Sequence, residues 1–349
     1  MTDFAREPGS RPCTRQTERM TVNLAAINDE PGFEPEPLLT LGWLLTTLNY
    51  RFTTVTPSTH SLINARSDNG ISRTIQDVFG WSRDFEPSVL PRQVFEAMYR
   101  ADACRPIAGS LLWRPRVRFS TLGGLMFAHS AFPTVDQDAV FFGPDSYRFV
   151  RAIQAHASLA ERIVDVGCGS GVGGIALAKS GLSARPVVLA DINPDALRMA
   201  AANAELASVR AETLHSDVLA GVRGEFDLVI ANPPFLRDDA QRTYRDGGGA
   251  YGERLALRII RESIDRLRSM PRGGRLLLYT GAAIVEGEDT FLTAARGELA
   301  RRGVLHSYEE VDPDIFSDEL QRPAYAKVER IAAVLLQVRI AGTDQRLRD

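Results

Sequence analysis

Residues 163–171 read Ile-Val-Asp-Val-Gly-Cys-Gly-Ser-Gly, and Val172-Gly173-Gly174-Ile175-Ala176-Leu177-Ala178 follows. The short apolar run, rich in β-branched residues, reads as a buried strand. It enters a glycine-rich turn that opens a helix. Glycine accepts positive φ and lets a ligand approach the backbone closely. Gly169, Gly171 and Gly174 also satisfy the G-x-G-x-x-G spacing of dinucleotide-binding turns, so a nicotinamide-binding domain is one reading. Asp165, two residues before Gly167, favours another ligand. A carboxylate there would repel a pyrophosphate, whereas it can help hold a cationic amino group through water.

Pro186-Val187-Val188-Leu189-Ala190-Asp191 is the next strand. Asp191 stands at its carboxyl end, where ligands bind in open α/β sheets, and can accept both hydroxyls of a ribose. Between Pro194 and Leu206 the apolar residues Ala196, Leu197, Ala200, Ala201 and Ala204 recur at helical spacing. His215-Ser216-Asp217 then places Asp217 at a further strand end, suited to an adenine amino group or to solvent.

The run Val229-Ile230-Ala231-Asn232-Pro233-Pro234-Phe235-Leu236 ends a buried strand in a proline turn. Asn232 offers a side-chain carbonyl as acceptor. Proline lacks a backbone donor and fixes φ, so Pro233 can present its own carbonyl as a second acceptor. Two converging acceptors hold an NH2 group and orient its lone pair. Phe235 can lie flat on an amide or base plane.

Taken together, Asp165 to Gly171, Asp191, Asp217 and Asn232 to Phe235 resemble the successive motifs of class I S-adenosylmethionine-dependent methyltransferases. The tetrapeptide is similar to that of the amino-methylating group. That group includes the release-factor glutamine methyltransferases, the adenine-amino DNA methylases and the ribosomal-RNA guanine and adenine methylases. The stretch Asp246 to Gly252 and the turn Pro271 to Gly274 resemble segments of the release-factor enzymes. Phe142-Gly-Pro-Asp-Ser-Tyr147 falls where those enzymes carry Arg-Pro-(Asp/Glu)-Thr-Glu, without the arginine. Phe235 stands where they usually carry tyrosine; phenylalanine is common among the RNA-base methylases. The resemblance implies a Rossmann-like α/β fold and S-adenosylmethionine as cofactor. It also implies Asp165, Gly167, Gly169, Gly171, Asp191, Asp217 and Asn232 as cofactor-binding residues, and Asn232, Pro233 and Phe235 as catalytic residues.

The 349 residues leave room for more than this domain. Residues 1–35 are polar and proline-punctuated, as in a disordered arm. Helical patterns follow over 38–50, 58–66, 71–79 and 91–103. Alternation from Leu112 to Phe119, the glycines Gly123 and Gly124, and the run from Leu125 to Phe132 read as a hairpin. A helical and hairpin domain over 36–134, recognising substrate, therefore precedes a catalytic domain over 135–349. In the latter, alternating strands and helices imply a mostly parallel sheet with helices on both faces. Val328 to Ile340 reads as a buried final strand. The segment Arg237 to Arg254 reads either as a glycine-hinged lid over substrate or as a solvated loop.

A net charge of -3 argues against a non-specific nucleic-acid binder. The three cysteines, Cys13, Cys104 and Cys168, show no metal-ligand spacing, and the chain is expected to hold no metal. They read as reduced thiols of a cytoplasmic protein. The sequence shows neither a membrane-spanning apolar run nor a secretory signal. The expected activity is transfer of a methyl group to a planar amide or amino nitrogen. The acceptor is a macromolecule, either a protein glutamine or an RNA base; a small amide or amine metabolite, a nucleotide-binding oxidoreductase and a catalytically silent cofactor-binding subunit are the alternatives. The sequence does not fix an oligomeric state.

Overall fold

The computed structural model describes residues 36–346; the arm expected over residues 1–35 lies outside them. Helices α1 (Pro37–Thr47) and α2 (Pro57–Asn64) each begin on a proline, where a missing N–H breaks no helical bond. The Glu36 and Thr56 side chains cap them by accepting from the backbones of Leu39 and Thr59. The helix expected from Ile71 starts later. Thr74 and Asp77 form a capping box that opens α3 at Ile75 (Ile75–Phe79). Helix α4 covers Arg92–Arg100.

The alternation from Leu112 to Phe119 is divided at Arg116, whose N–H bonds Ala103 and whose carbonyl accepts from Ala131. Strand β1 (Cys104–Pro106) pairs with β2 (Trp113–Pro115), a hairpin not expected from the sequence. Strand β3 (Val117–Leu122) pairs with β4 (Leu125–Ser130) around Gly123 and Gly124, as expected. Period-two geometry sends Val117, Phe119, Met126 and Ala128 into one core with Leu38, Leu41 and Met98. Arg118, Ser120, Phe127 and His129 occupy the opposite face.

Helix α5 (Pro144–His156) leads into the sheet, with β5 (Ile163–Val166), α6 (Val172–Lys179), β6 (Val187–Asp191), α7 (Pro194–Leu206), β7 (Ala211–His215) and β8 (Leu228–Ala231). Then come α8 (Arg254–Arg268), β9 (Gly274–Val285), β10 (Glu288–Asp289), α9 (Thr290–Arg302), β11 (Leu305–Asp312) and β12 (Arg330–Ile340). The strand order is β11-β12-β9-β8-β5-β6-β7, with β10 beside β9. Strands β5 to β9 run parallel; β12 and β11 extend the sheet antiparallel. Successive residues of β5 face opposite ways. Ile163 packs with Phe149, Ile153 and Ile175 of α5 and α6, and Val164 packs with Ile259 and Ile264 of α8. The mostly parallel, doubly covered sheet is the expected one. Among the described residues, no helix is long and apolar enough to cross a membrane.

Helix α7 joins the two parts. Ala200 and Ala204 face the sheet core, and Ala196, Met199 and Ala202 face the core of the N-terminal helices. A Cβ at Gly42 would lie 2.5 Å from the Leu206 side chain, so α1 seats directly on α7. Contacts run through the expected boundary near Val135, and the described residues from Glu36 onward form one unit. Asn203 is fully buried at this junction. Its Oδ1 accepts from the Ala128 N–H at 2.7 Å, and its amide donates to the carbonyls of Ala128 at 3.0 Å and Ser170 at 2.9 Å. One side chain thus ties β4 and the glycine turn to α7. Asn203→Ala strands one donor and two acceptors at once, and is expected to cost about 2–4 kcal/mol in urea unfolding.

Candidate active site

Three parallel strands deliver the expected residues to one edge of the sheet. Strand β5 brings Asp165 and the glycine turn, β6 ends in Asp191, and β8 runs into Asn232. Because β5 lies between β6 and β8, the chain leaves it toward both sides. Open α/β sheets bind ligands at such a switch point.

Gly167, Gly169 and Gly171 adopt φ of 65°, 53° and 76°, which other residues resist. The N–H groups of Gly167 and Cys168 bond the Ala190 carbonyl at 2.8 and 3.1 Å, fastening the turn to β6. A Cβ at Gly167 or Gly169 would meet no protein atom within 4 Å, whereas one at Gly171 would lie 2.9 Å from Ile175. Gly171 therefore serves packing, and the first two glycines leave bare backbone toward open space.

Asp165 and Asp191 are both buried. Asp165 accepts the Gly174 N–H at 2.7 Å; Asp191 accepts the N–H groups of Gly169 at 2.8 Å and Asn193 at 2.9 Å. Burial pushes Asp165 up to about 7; the Gly174 bond opposes the rise and the Asp191 charge adds to it. Burial also raises Asp191, against the bonds from Asn193, Gly169 and Ile192. No described lysine or arginine pairs with either carboxylate. Two buried acids without a counter-ion make a place for a cation and for hydroxyl donors.

Across the switch point, the Asn232 Oδ1 is buried and without a partner. Among the described residues no donor reaches the Pro233 carbonyl either. An unsatisfied buried acceptor costs about 1–3 kcal/mol unless something donates to it. Both expected acceptors are thus without a protein donor among the described residues. Phe235 is placed differently from the open platform its sequence implies: it is buried. Its ring lies against Gly281, where a Cβ would come within 2.3 Å of it, and meets Phe316 edge-on at 5.6 Å. Stacking on a substrate plane would require Phe316 to give way.

Asp217 lies beyond β7, its carboxylate held by Arg258 through bonds of 2.8 and 2.9 Å. An adenine amino group there would share or replace that ion pair. The segment Arg237 to Arg254 is fastened at several points while Asp239 to Gln241, Gly249 and Ala250 stay exposed. Asp238, buried, takes a two-pronged bond from Arg242 at 2.6 and 2.8 Å. Arg242 holds its carboxyl well below the usual range. Arg245 pairs with Asp238 and Glu319, and Tyr244 donates to the Thr134 carbonyl at 2.6 Å. Gly247 and Gly252 allow the segment to lie backbone-on-backbone against Pro234 and Phe235.

Sequence reasoning missed the ring cluster beside Phe235. Phe141 stacks parallel to Tyr244 at 6.3 Å and meets Phe316 at 6.5 Å. Phe316 holds a left-handed φ of 54°, an uncommon conformation for an aromatic residue. The only sequence signal was the density of aromatic residues at 141–147, since Phe316 is far away in the chain.

This doubly covered sheet, with its glycine turn and strand-end acids, has the Rossmann-like layout of the methyltransferases. The methyltransferase small domain family matches residues 144–280. A putative protein N5-glutamine methyltransferase of Methanocaldococcus jannaschii is 35% identical over 132 residues, 36% of this chain and 64% of that protein. A release factor glutamine methyltransferase of Cereibacter sphaeroides is 30% identical over 235 residues, 63% of this chain and 78% of that protein. A ribosomal RNA small subunit methyltransferase C of Escherichia coli is 33% identical over 121 residues, 35% of this chain and 31% of that protein. The chain belongs to the amino-methylating methyltransferase family that holds the release factor glutamine methyltransferases. It spans between 44% and 64% of the length of three of the curated relatives it matches.

The Asp165 carboxyl offers a test that needs no ligand. Its pKa in the folded chain, about 7, lies above the unfolded value. The folded state therefore holds the extra proton between about pH 4 and pH 7, and its stability falls as pH rises through that window. Asp165→Asn keeps an acceptor for Gly174 and removes the charge. It should change stability little at pH 4.5 and add about 2–4 kcal/mol at pH 8, measured by chemical unfolding at both pH values.

Proposed function

We propose that the protein transfers a methyl group from S-adenosylmethionine to the side-chain amide nitrogen of a glutamine in a protein. The observation that carries this reading is the unpartnered, buried Asn232 Oδ1 beside the free Pro233 carbonyl, facing the same sheet edge as two uncompensated acids. The residues suit the cofactor. Asp165 answers its cationic amino group, Asp191 the ribose hydroxyls, and the bare backbone of Gly167 and Gly169 admits it closely. The cofactor supplies an electrophilic methyl group; the chain supplies position. Asn232 and Pro233 accept the two N–H bonds of the amide and fix its nitrogen, and the aromatic wall around Phe235 excludes water. Holding the nitrogen in line removes most of the entropic part of the barrier.

A protein amide is favoured over a nucleic acid because most of the arginines near the site are already engaged. Arg242, Arg245 and Arg322 surround Asp238 and Glu319, and Arg258 holds Asp217. In the segment after Phe235 only the exposed Arg237 and Arg254 are left to meet a phosphate backbone. The relatives that act on protein glutamine agree with this reading. An RNA base is the second reading, supported by Phe235 in the place of tyrosine and by the ribosomal-RNA relative. The substrate-recognition role proposed for residues 36–134 applies under either reading.

Labelled S-adenosylmethionine incubated with lysate should mark the protein fraction; label confined to RNA would favour the second reading, and label in neither would contradict both. Asp191→Ala should weaken S-adenosylmethionine binding at least about tenfold by calorimetry, since bonds to a charged acceptor are worth roughly 1.5–3 kcal/mol each. Asn232→Ala should keep cofactor affinity and lower the rate of transfer at least about tenfold. A rate within threefold of wild type would remove Asn232 from the acceptor site.

A further inference from the structure

The N-terminal part contains a buried charge that nothing neutralises. Arg118, on β3, is 4% exposed, and its Nε and one terminal nitrogen are buried without a hydrogen-bond partner. Among the described residues no carboxylate pairs with it. Its guanidinium rests over the Phe52 ring at 5.3 Å. Burial lowers its pKa to about 10, and the only groups that oppose the fall are the hydroxyls of Tyr50 and Tyr147. It remains charged at neutral pH. An isolated buried cation is expensive to keep, and removing its counter-charge typically destabilises a fold by several kcal/mol.

The surroundings are polar but neutral. His129 faces Arg118 across the β3–β4 hairpin. Its Nδ1 lies 3.1 Å from the Ser130 carbonyl and its Nε2 2.8 Å from the Ser120 hydroxyl, itself close to the Thr54 hydroxyl. Burial and Arg118 hold both His129 and His60 below the ordinary histidine range, so both rings are uncharged at neutral pH. The Tyr147 oxygen accepts the Thr54 N–H at 3.1 Å and also meets the Thr54 side chain. Among the described residues, these groups bond one another and none of them carries a negative charge.

We infer that Arg118 and the Tyr147 hydroxyl form a second binding site, one that takes a carboxylate. A carboxylate is planar and matches the guanidinium fork with two parallel bonds. The enclosure favours that shape over a phosphodiester, because the Phe52 ring covers one side and the Phe142–His129 stack, at 4.9 Å, stands close by. Packed rings link the site to the residues around Asn232 and Phe235. Phe142 stacks on His129, its neighbour Phe141 meets Phe316, and Phe316 meets Phe235. On the reading given above, the carboxylate belongs to an acidic residue of the methyl-accepting protein, held while its amide reaches Asn232.

Thermal unfolding of the full chain tests this without any methyl transfer, so it stands or fails separately from the proposed activity. Saturating glutarate should raise Tm of the wild type by about 2–4 °C at constant ionic strength. Chloride and inorganic phosphate should not. Arg118→Met should lose the glutarate response and, in buffer alone, melt no lower than wild type, because it removes an uncompensated charge. Tyr147→Phe should weaken the half-saturating glutarate concentration at least threefold and guards against a misfolded Arg118 variant. Acetyl-glutamate-amide as active as glutarate would support a polypeptide side chain as the source; glutarate alone active would support a free acid. A larger response to phosphate, or no response to glutarate in the wild type, would overturn the assignment.

Discussion

Two carboxylates, Asp165 and Asp191, are buried side by side with only backbone N–H groups for company. The surrounding structure is arranged around that constraint. The turn after β5 must pass through three left-handed glycines, so that Gly169 can turn its N–H to Asp191. Helix α6 must lie close enough for Gly174 to reach Asp165, and that closeness excludes a side chain at Gly174, whose Cβ would sit 2.7 Å from Leu189. Two negative charges held this way cost stability when empty and favour a positively charged ligand.

A similar tension recurs at two other places. Asn232 presents a buried oxygen with no donor, and Arg118 a buried guanidinium with no acid. Single atoms without a hydrogen-bond partner also occur at His60, Arg245, Ser263, Thr280 and Glu319, while other groups are fully met. Asn203 uses its carbonyl and amide fully, and Asp238 sits among three arginines. On the proposed reading, the paired acids, Asn232 and Arg118 are the places where a cofactor, an amide and an acid would supply the missing partners.

The catalytic half was legible because its signals are local. Strand, glycine turn and helix follow each other within residues 163–178, and the helix over Pro194–Leu206 has the bounds that its proline and alanine spacing imply. Asp191 and Asn232 were found because each ends an apolar run. What stayed hidden depends on distant partners. Asn203 lies in an alanine-rich helix, and nothing nearby announces the strand it bonds. Arg118 sits in an alternating strand, where an arginine ordinarily faces water. Strands β1 and β2 are three residues each, too short for periodicity, and β11 is largely exposed and polar. Phe235 looked like an exposed platform because Phe316 and Gly281, which enclose it, come from elsewhere in the chain.

The central claim is that the two acids await a cationic cofactor, and its most direct test is proton release. With Asp165 at about 7, most of the chains carry its proton at pH 6.5. A cation bound beside it would displace that proton. S-adenosylmethionine should be titrated by calorimetry at pH 6.5 in buffers of different ionisation enthalpy. The account requires a binding enthalpy that varies with the buffer, reporting release of roughly half a proton or more. The variation should vanish in Asp165→Asn. Binding with the same enthalpy in every buffer, or no binding at all, would contradict it.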